Sequence, residues 1–361
     1  MEINLNKKAL IAMSGGVDSS VAAFLMKQQG FDCIGITMKL FENADIGETG
    51  QRSCCSLLDA SAALNTASSM DIPHYINDFT EDFRNYVMKR FADIYISGAT
   101  PNPCIDCNKY IKFEKLKFRA LQLGIDYIAT GHYAQITYNE ETGRYLLKKA
   151  LDNGKDQSYV LYNMTQEQLA NTIFPLGALT KLQVREIAKN NRFNNADKEE
   201  SQDICFVPKG KYADFIERFT CTSFPCGDFI DLQGNILGRH KGIIRYTIGQ
   251  RRGIDLSLNK PMYVHSKNLE NNTVTLCEDK DLFNRSLKIR DFNLISLQEI
   301  RSPIRVKVKI RYNQNEQWAT AIQTSESTVD IEFDEGQRAI TKGQAAVLYD
   351  DDIVVGGGTI K

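Results

Sequence analysis

The chain has 361 residues, 42% hydrophobic and 25% charged, which is enough for a large core and two or three domains. Its net charge of −1 supplies no global field for nucleic acid, so any RNA surface has to be a local patch. No charged leader with an apolar run opens it and no run of about 18 apolar residues occurs, which excludes a membrane span and points to the cytoplasm; nine cysteines without a short secreted framework point to reduced thiols with chemical or metal-binding roles.

The first predicted element is a strand over Lys8–Met13, followed by Ser14-Gly15-Gly16-Val17-Asp18-Ser19-Ser20 and then by an apolar run, Val21–Met26, that reads as a helix. Strand, glycine turn and helix start together make an anion site. The glycines let the backbone approach a phosphate, Ser14 and Ser19 add hydroxyls, and the unpaired N–H groups of the new helix point at the ligand. Neither Gly-Lys-Ser/Thr nor Gly-x-Gly-x-x-Gly is present, so this is not the Walker loop or the dinucleotide fingerprint. Ser-Gly-Gly-x-Asp-Ser resembles the loop of enzymes that split ATP into AMP and pyrophosphate. A small-residue turn that only packs a helix on a sheet is the plainer alternative.

Further strands are predicted at Cys33–Met38, His74–Ile76 and Asp126–Thr130, with helices over Cys55–Met70, Asp82–Ile96 and Asn108–Leu123. This alternation is that of a doubly wound parallel sheet, whose ligand sits at the carboxyl ends of the strands. The Ser14 loop, Met38 and Thr130-Gly131-His132 all fall there. Pro101-Asn102-Pro103-Cys104-Ile105-Asp106-Cys107-Asn108 sets a Cys-x-x-Cys just before a helix, where Asn108 is expected as the cap and the dipole, with Lys109 and Lys112, is expected to activate Cys107. Two inert thiols, or half of a zinc site, is the competing reading, and no second Cys-x-x-Cys completes such a site.

Helical periods continue through Gln166–Ile173 and Lys181–Asn190 up to Cys205-Phe206-Val207-Pro208. From about residue 226 the pattern turns β-rich, with runs at Thr273–Leu276, Ile304–Tyr312, Thr328–Phe333 and Ala345–Tyr349, and Gly356-Gly357-Gly358 reads as a turn before a last strand. Ile304–Tyr312 alternates so that Arg305, Lys307, Lys309 and Arg311 share one face, either a solvated face or a stripe for a phosphate backbone. Arg239, His240, Lys241, Arg245, Arg251 and Arg252 form a second basic cluster with the same two readings. Cys205 alone says little, and Cys33, Cys54, Cys55, Cys221, Cys226 and Cys277 read as structural.

Taken in order, Ala12–Ser20, Pro101–Phe113, Ala129–Tyr133, Lys155–Tyr159, Asp203–Phe206, Tyr246–Arg251 and Gly356–Gly358 resemble, nearly end to end, the tRNA-specific 2-thiouridylases. The resemblance implies an adenine nucleotide alpha-hydrolase-like domain over 1–207 followed by two small β-rich domains, 208–280 and a β-barrel over 281–361. It implies that Ala12, Met13, Ser14, Gly15, Gly16, Val17, Asp18, Ser19, Met38 and Gly131 hold ATP with Mg²⁺. Cys107 then corresponds to the nucleophile and Cys205 to the cysteine that receives a persulfide from a sulfur-donor or relay protein. Asn102, Pro103 and Cys104 would lie at the target base, and His132, Lys155, Asp156, Gln157, Arg311, Tyr312 and Gln344 would touch the tRNA anticodon region.

Many relatives carry an acidic residue where this chain has Cys104, and a thiol handles protons poorly at neutral pH. With Cys107 and Cys205 it also makes three thiols that could ligate a [4Fe–4S] cluster, so a cluster route stands beside the persulfide route that the resemblance implies. A ligase of the same ATP-splitting type acting on a small molecule would need neither the two cysteines nor the basic strand. A redox or metal-binding regulator built on Cys104 and Cys107 would need no nucleotide.

Overall fold

The computed structural model describes residues 7–47, 57–198, 203–207 and 211–361. Its first sheet runs, edge to edge, His74–Asp78, Asp32–Lys39, Lys8–Ala12, Tyr127–Thr130 and Thr172–Ile173, all parallel. Alternate side chains of the central strand feed two cores: Leu10 and Ala12 join one cluster, Ala9, Ile11 and Met13 the other. Both faces are therefore covered, as a doubly wound sheet requires. Ile11 is fully buried, worth about 2 kcal/mol by transfer. The strand order reverses at Lys8–Ala12, so the crevice opens between the carboxyl ends of that strand and Tyr127–Thr130.

A second sheet is formed by Tyr263–Asn268, Thr273–Cys277, Gly227–Ile230 and Ile236–His240. The third has Phe283–Leu294, Thr328–Arg338, Gln317–Ser325, Ile304–Lys309, Ala345–Asp350 and Ile353–Ile360 in spatial order, and its first and last members pair with each other to close a barrel. The hairpin Gln135–Asn139 with Arg144–Lys148 joins the same sheet beside Ile353–Ile360. The segment after the first domain's fourth strand is thus stitched to the far end of the chain.

Two expectations fail locally. Gln166–Ile173 is not one helix: a helix covers Gln166–Ala170, and Thr172–Ile173 leaves it to become the sheet's edge strand, hydrogen-bond pairing overriding the helical period. Gly356–Gly358 is not a turn but the middle of Ile353–Ile360, where the missing side chains let Asn293, Arg290 and the Tyr162 ring lie directly on the strand. Cys54, Cys55 and the start of the helix expected over Cys55–Met70 lie outside the described residues; the rest of that helix is Leu57–Ser69. Among the described residues no helix is long and apolar enough to cross a membrane.

Candidate active site

The helix Val17–Gln28 starts at Gly16, whose extended backbone turns the chain off the first strand. Gly15 has φ +72°, and any Cβ on it would collide with the Asp59 carbonyl, so both conformation and space demand glycine. The loop is internally tied. Ser14 N donates to Ser19 Oγ at 3.1 Å, and Ser19 Oγ and Ser20 Oγ donate to Gly16 O at 3.0 and 3.1 Å. Gly131, at the end of Tyr127–Thr130, passes so close that a Cβ there would lie 2.9 Å from Asp18 C. Met38 is the second-last residue of the neighbouring strand Asp32–Lys39 and packs against the core. The Ser14 loop and Gly131 thus meet at the switch point, with Met38 near the end of the adjacent strand.

Four residues that the motif reading did not single out hold this loop. Lys181 Nζ donates to Asp18 Oδ1 at 2.6 Å, and Tyr133 OH donates to the same oxygen at 2.8 Å. Asn195 Nδ2 donates to Gly15 O and Ser20 Oγ, and Lys198 Nζ bridges Gly15 O and the Asp59 carboxylate. They come from a stretch more than 150 residues downstream, in the case of Lys181, Asn195 and Lys198, and nothing local marks them. Lys181 opens the helix Lys181–Asn190, whose capping box is visible in sequence, but a cap says nothing of where the next side chain goes.

The thiols sit on a different kind of helix from the one expected. Asn102, not Asn108, is the cap: its Oδ1 accepts from Cys104 N at 3.2 Å, and the helix begins at Pro103. Asn108 is buried and donates to Val160 O at 3.0 Å. Cys107 therefore lies past the first turn, where the dipole is already weak, and burial pushes its thiol up to about 11 rather than down. Cys104 is exposed, yet desolvation by the surrounding protein raises its thiol too. From Cys107 to Lys115 the helix is of π type, which stacks residues five apart, so Lys112 stands over Cys107 and opposes the rise at both thiols. Lys109 instead lies over the Tyr110 ring.

His132 is buried 3.4 Å from Lys112 Nζ by its Nε2 and 2.7 Å from Thr130 Oγ1 by its Nδ1. Burial and the lysine charge hold its pKa well below the usual range, so it is neutral, and the network assigns the proton to Nδ1. The turn 130–133 consequently joins the two halves of the site: His132 meets the lysine of the thiol helix, and Tyr133 meets Asp18. Cys205 is exposed, and its neighbour Phe206 is wedged among Phe83, Phe91 and Phe215, in the core cluster against which Cys107 also packs. Among the described residues no three His, Cys, Asp or Glu side chains are grouped to hold a metal ion.

The expected RNA contacts are scattered in role. Asp156 is committed to Ala150 N, Ser158 N and Ser158 Oγ, while Gln157 Oε1 accepts from Tyr133 N, and Tyr312 OH reaches Asp156 O. Lys155 lies on the same turn. Gln344 Nε2 donates to Thr100 O and Pro101 O, fixing the loop that carries Asn102 and Pro103. The cations of the basic strand differ in what they meet. That strand ends at Lys309, Arg305 makes a two-point pair with Asp334, and Arg311 turns inward to Ile248 O, Ala339 O and Thr341 Oγ1. In the second cluster Arg239, Lys241 and Arg245 pair with Asp228, Asp255 and Asp214.

Because Cys107 titrates near 11, alkylation of this thiol by iodoacetamide in ligand-free protein should rise about tenfold per pH unit from 7 to 10. Lys112→Met should slow it several-fold at pH 8. Peptide mass mapping reads both, and a rate independent of pH would show a thiolate already formed.

Three family models match the chain: a tRNA methyl transferase HUP domain over residues 7–209, a tRNA methyl transferase PRC-barrel domain over 213–278 and an aminomethyltransferase beta-barrel domain over 284–360. The chain is 50% identical over 357 residues to the tRNA-specific 2-thiouridylase MnmA of Clostridioides difficile, covering 99% of each. It is 48% identical to the protein of the same name from Acetivibrio thermocellus, covering 98% of this chain and 99% of that one.

Proposed function

From its place in the tRNA-specific 2-thiouridylase family, to which the chain belongs, we propose that it replaces the C2 oxygen of the wobble uridine (position 34) of tRNA with sulfur at the expense of ATP. The observation that supports this most is the turn 130–133, which ties a phosphate-type loop to a helix bearing two thiols. A small-molecule ligase has no need of the second half, nor a thiol regulator of the first. Methyl transfer, the wording of two family models, has no use for either.

The C2 carbonyl is amide-like and poorly electrophilic. Its oxygen attacks the α-phosphate of ATP, the Ser14–Ser19 loop receives the departing pyrophosphate, and C2–O–AMP is left as an activated centre. The Asp18 carboxylate is a hard oxygen donor suited to Mg²⁺, which when bound would neutralise charge building on the phosphates. The terminal sulfur of a persulfide on Cys205, delivered by a donor or relay protein, attacks C2 and expels AMP, giving a C2–S–S–Cys205 adduct. Cys107 thiolate then attacks the Cys205 sulfur, forming a Cys107–Cys205 disulfide and releasing 2-thiouridine; cellular thiols reset the pair. Cytoplasmic residence keeps those thiols reduced. In this reading Asn102, Pro103 and Cys104 receive the base, which an anticodon loop can present unstacked, and residues 1–207 carry the chemistry while 208–280 and 281–361 help to hold the RNA.

Purified protein incubated with ATP, a persulfide donor and tRNA from a strain lacking the activity should yield 2-thiouridine at position 34 by nucleoside mass analysis, with AMP and pyrophosphate in equal amounts. Bulk tRNA that fails to stimulate pyrophosphate release over an RNA-free blank would turn the assignment toward a small-molecule ligase.

A further inference from the structure

Tyr133 and Lys181 both hold Oδ1 of Asp18, and both lead by separate routes to one segment, residues 152–158. The Tyr133 backbone is clamped by Gln157 on both sides: Gln157 N donates to Tyr133 O at 2.9 Å, and Tyr133 N donates to Gln157 Oε1 at 3.0 Å. Lys181 N donates to Asp152 Oδ2 at 2.9 Å. The segment between these anchors is a closed unit, since Lys155 N donates to Asp152 O and the Asp156 carboxylate gathers Ala150 N, Ser158 N and Ser158 Oγ. A lysine at the first position of a helix sits at the unfavourable end of the dipole, and nothing in helix stability recommends it. Its side chain is nevertheless mostly buried, with Asp18 as its ion-pair partner.

We propose that Tyr133 and Lys181 are positioning residues for adenylation, setting the Asp18 carboxylate according to where segment 152–158 lies, so that RNA bound at that segment and nucleotide bound at the Ser14 loop strengthen each other. The inference rests on the tRNA reading above. Both donors reach Oδ1, so a shift of either re-aims the carboxylate without breaking the loop. Two routes from one segment to one oxygen make the coupling hard to avoid when RNA moves the segment. Binding linkage is reciprocal, so the same factor must appear whichever ligand is added first.

The test is calorimetric titration of the full chain with α,β-methylene-ATP and Mg²⁺, with and without unthiolated tRNA, alongside tRNA titrations with and without the nucleotide. In the wild type each ligand should tighten the other at least about fivefold. Tyr133→Phe keeps the ring and the backbone clamp and loses only the hydroxyl; mutual tightening should fall below about twofold while tRNA affinity without nucleotide stays as it was. Asp152→Ala cuts the second route and should reduce the tightening as well, and a melting curve on each variant guards against misfolding. Wild-type protein that binds both ligands with no mutual effect overturns the inference and leaves the tRNA reading standing. So does wild-type coupling in both variants. Wild-type protein that binds no tRNA removes the reading itself, and the inference with it.

Discussion

Asp18→Ala should lower ATP–pyrophosphate exchange in the presence of tRNA by on the order of a thousandfold, with tRNA affinity in the absence of nucleotide intact. The carboxylate stands at the start of the helix that follows the phosphate loop, and its two donors, Lys181 and Tyr133, hold it there. Removing it subtracts a negative charge beside the phosphates, so ATP affinity in the absence of tRNA should hold or rise; the loss belongs to the chemical step and to the coupling with bound RNA. Asp18→Asn separates charge from shape. The amide oxygen still accepts from Tyr133, so a comparable loss in this variant assigns the effect to the charge. Exchange at the wild-type rate in Asp18→Ala would mean that the loop is not where pyrophosphate leaves. Because the Lys181 side chain that Asp18 pairs with is only 10% exposed, the alanine variant also loses a largely buried ion pair, and its melting temperature should fall.

The parts of this site that could be read from the chain are those whose chemistry is local. A strand, two glycines and a helix start within fourteen residues identify an anion loop because the backbone supplies the donors. The doubly wound parallel sheet follows from alternating periods, and Lys181–Asn190 coincides with its predicted helix because a capping box and an amphipathic period agree. What failed was long-range or depended on depth. Cys107 and a helix start are close in sequence, but the cap lies five residues earlier, and burial outweighs the charge of Lys112. The basic alternation of Ile304–Tyr312 is real, yet Asp334 and three inward acceptors, all distant in sequence, decide what Arg305 and Arg311 do. Lys181, Asn195 and Lys198 were invisible for the same reason: each is an ordinary residue until the fold carries it to the loop.

The thiols should divide by role. In the persulfide route Cys205→Ser carries no sulfur and gives no thiolation in a single turnover, a loss of three orders of magnitude or more. Cys107→Ser loads sulfur normally and transfers it to C2, but nothing then attacks the Cys205 sulfur, so tRNA should remain attached to the protein through a C2–S–S–Cys205 bond and come off with dithiothreitol. That trapped species is the sharpest mark of the mechanism. Cys104→Ser should be mild, since it bears no sulfur and its backbone N–H still reaches Asn102. A [4Fe–4S] route makes the opposite forecast: Cys104, Cys107 and Cys205 act as equivalent ligands, and loss of any one bleaches the cluster absorbance and stops thiolation alike. The measurement is single-turnover thiolation by each serine variant, with iron determined on the same anaerobic preparations and the attached tRNA scored on non-reducing gels. Near-normal Cys104→Ser in iron-free protein sinks the cluster. Three equally dead, iron-depleted variants with no trapped tRNA sink the persulfide, because a thiol that only resolves a disulfide cannot be needed before the disulfide exists.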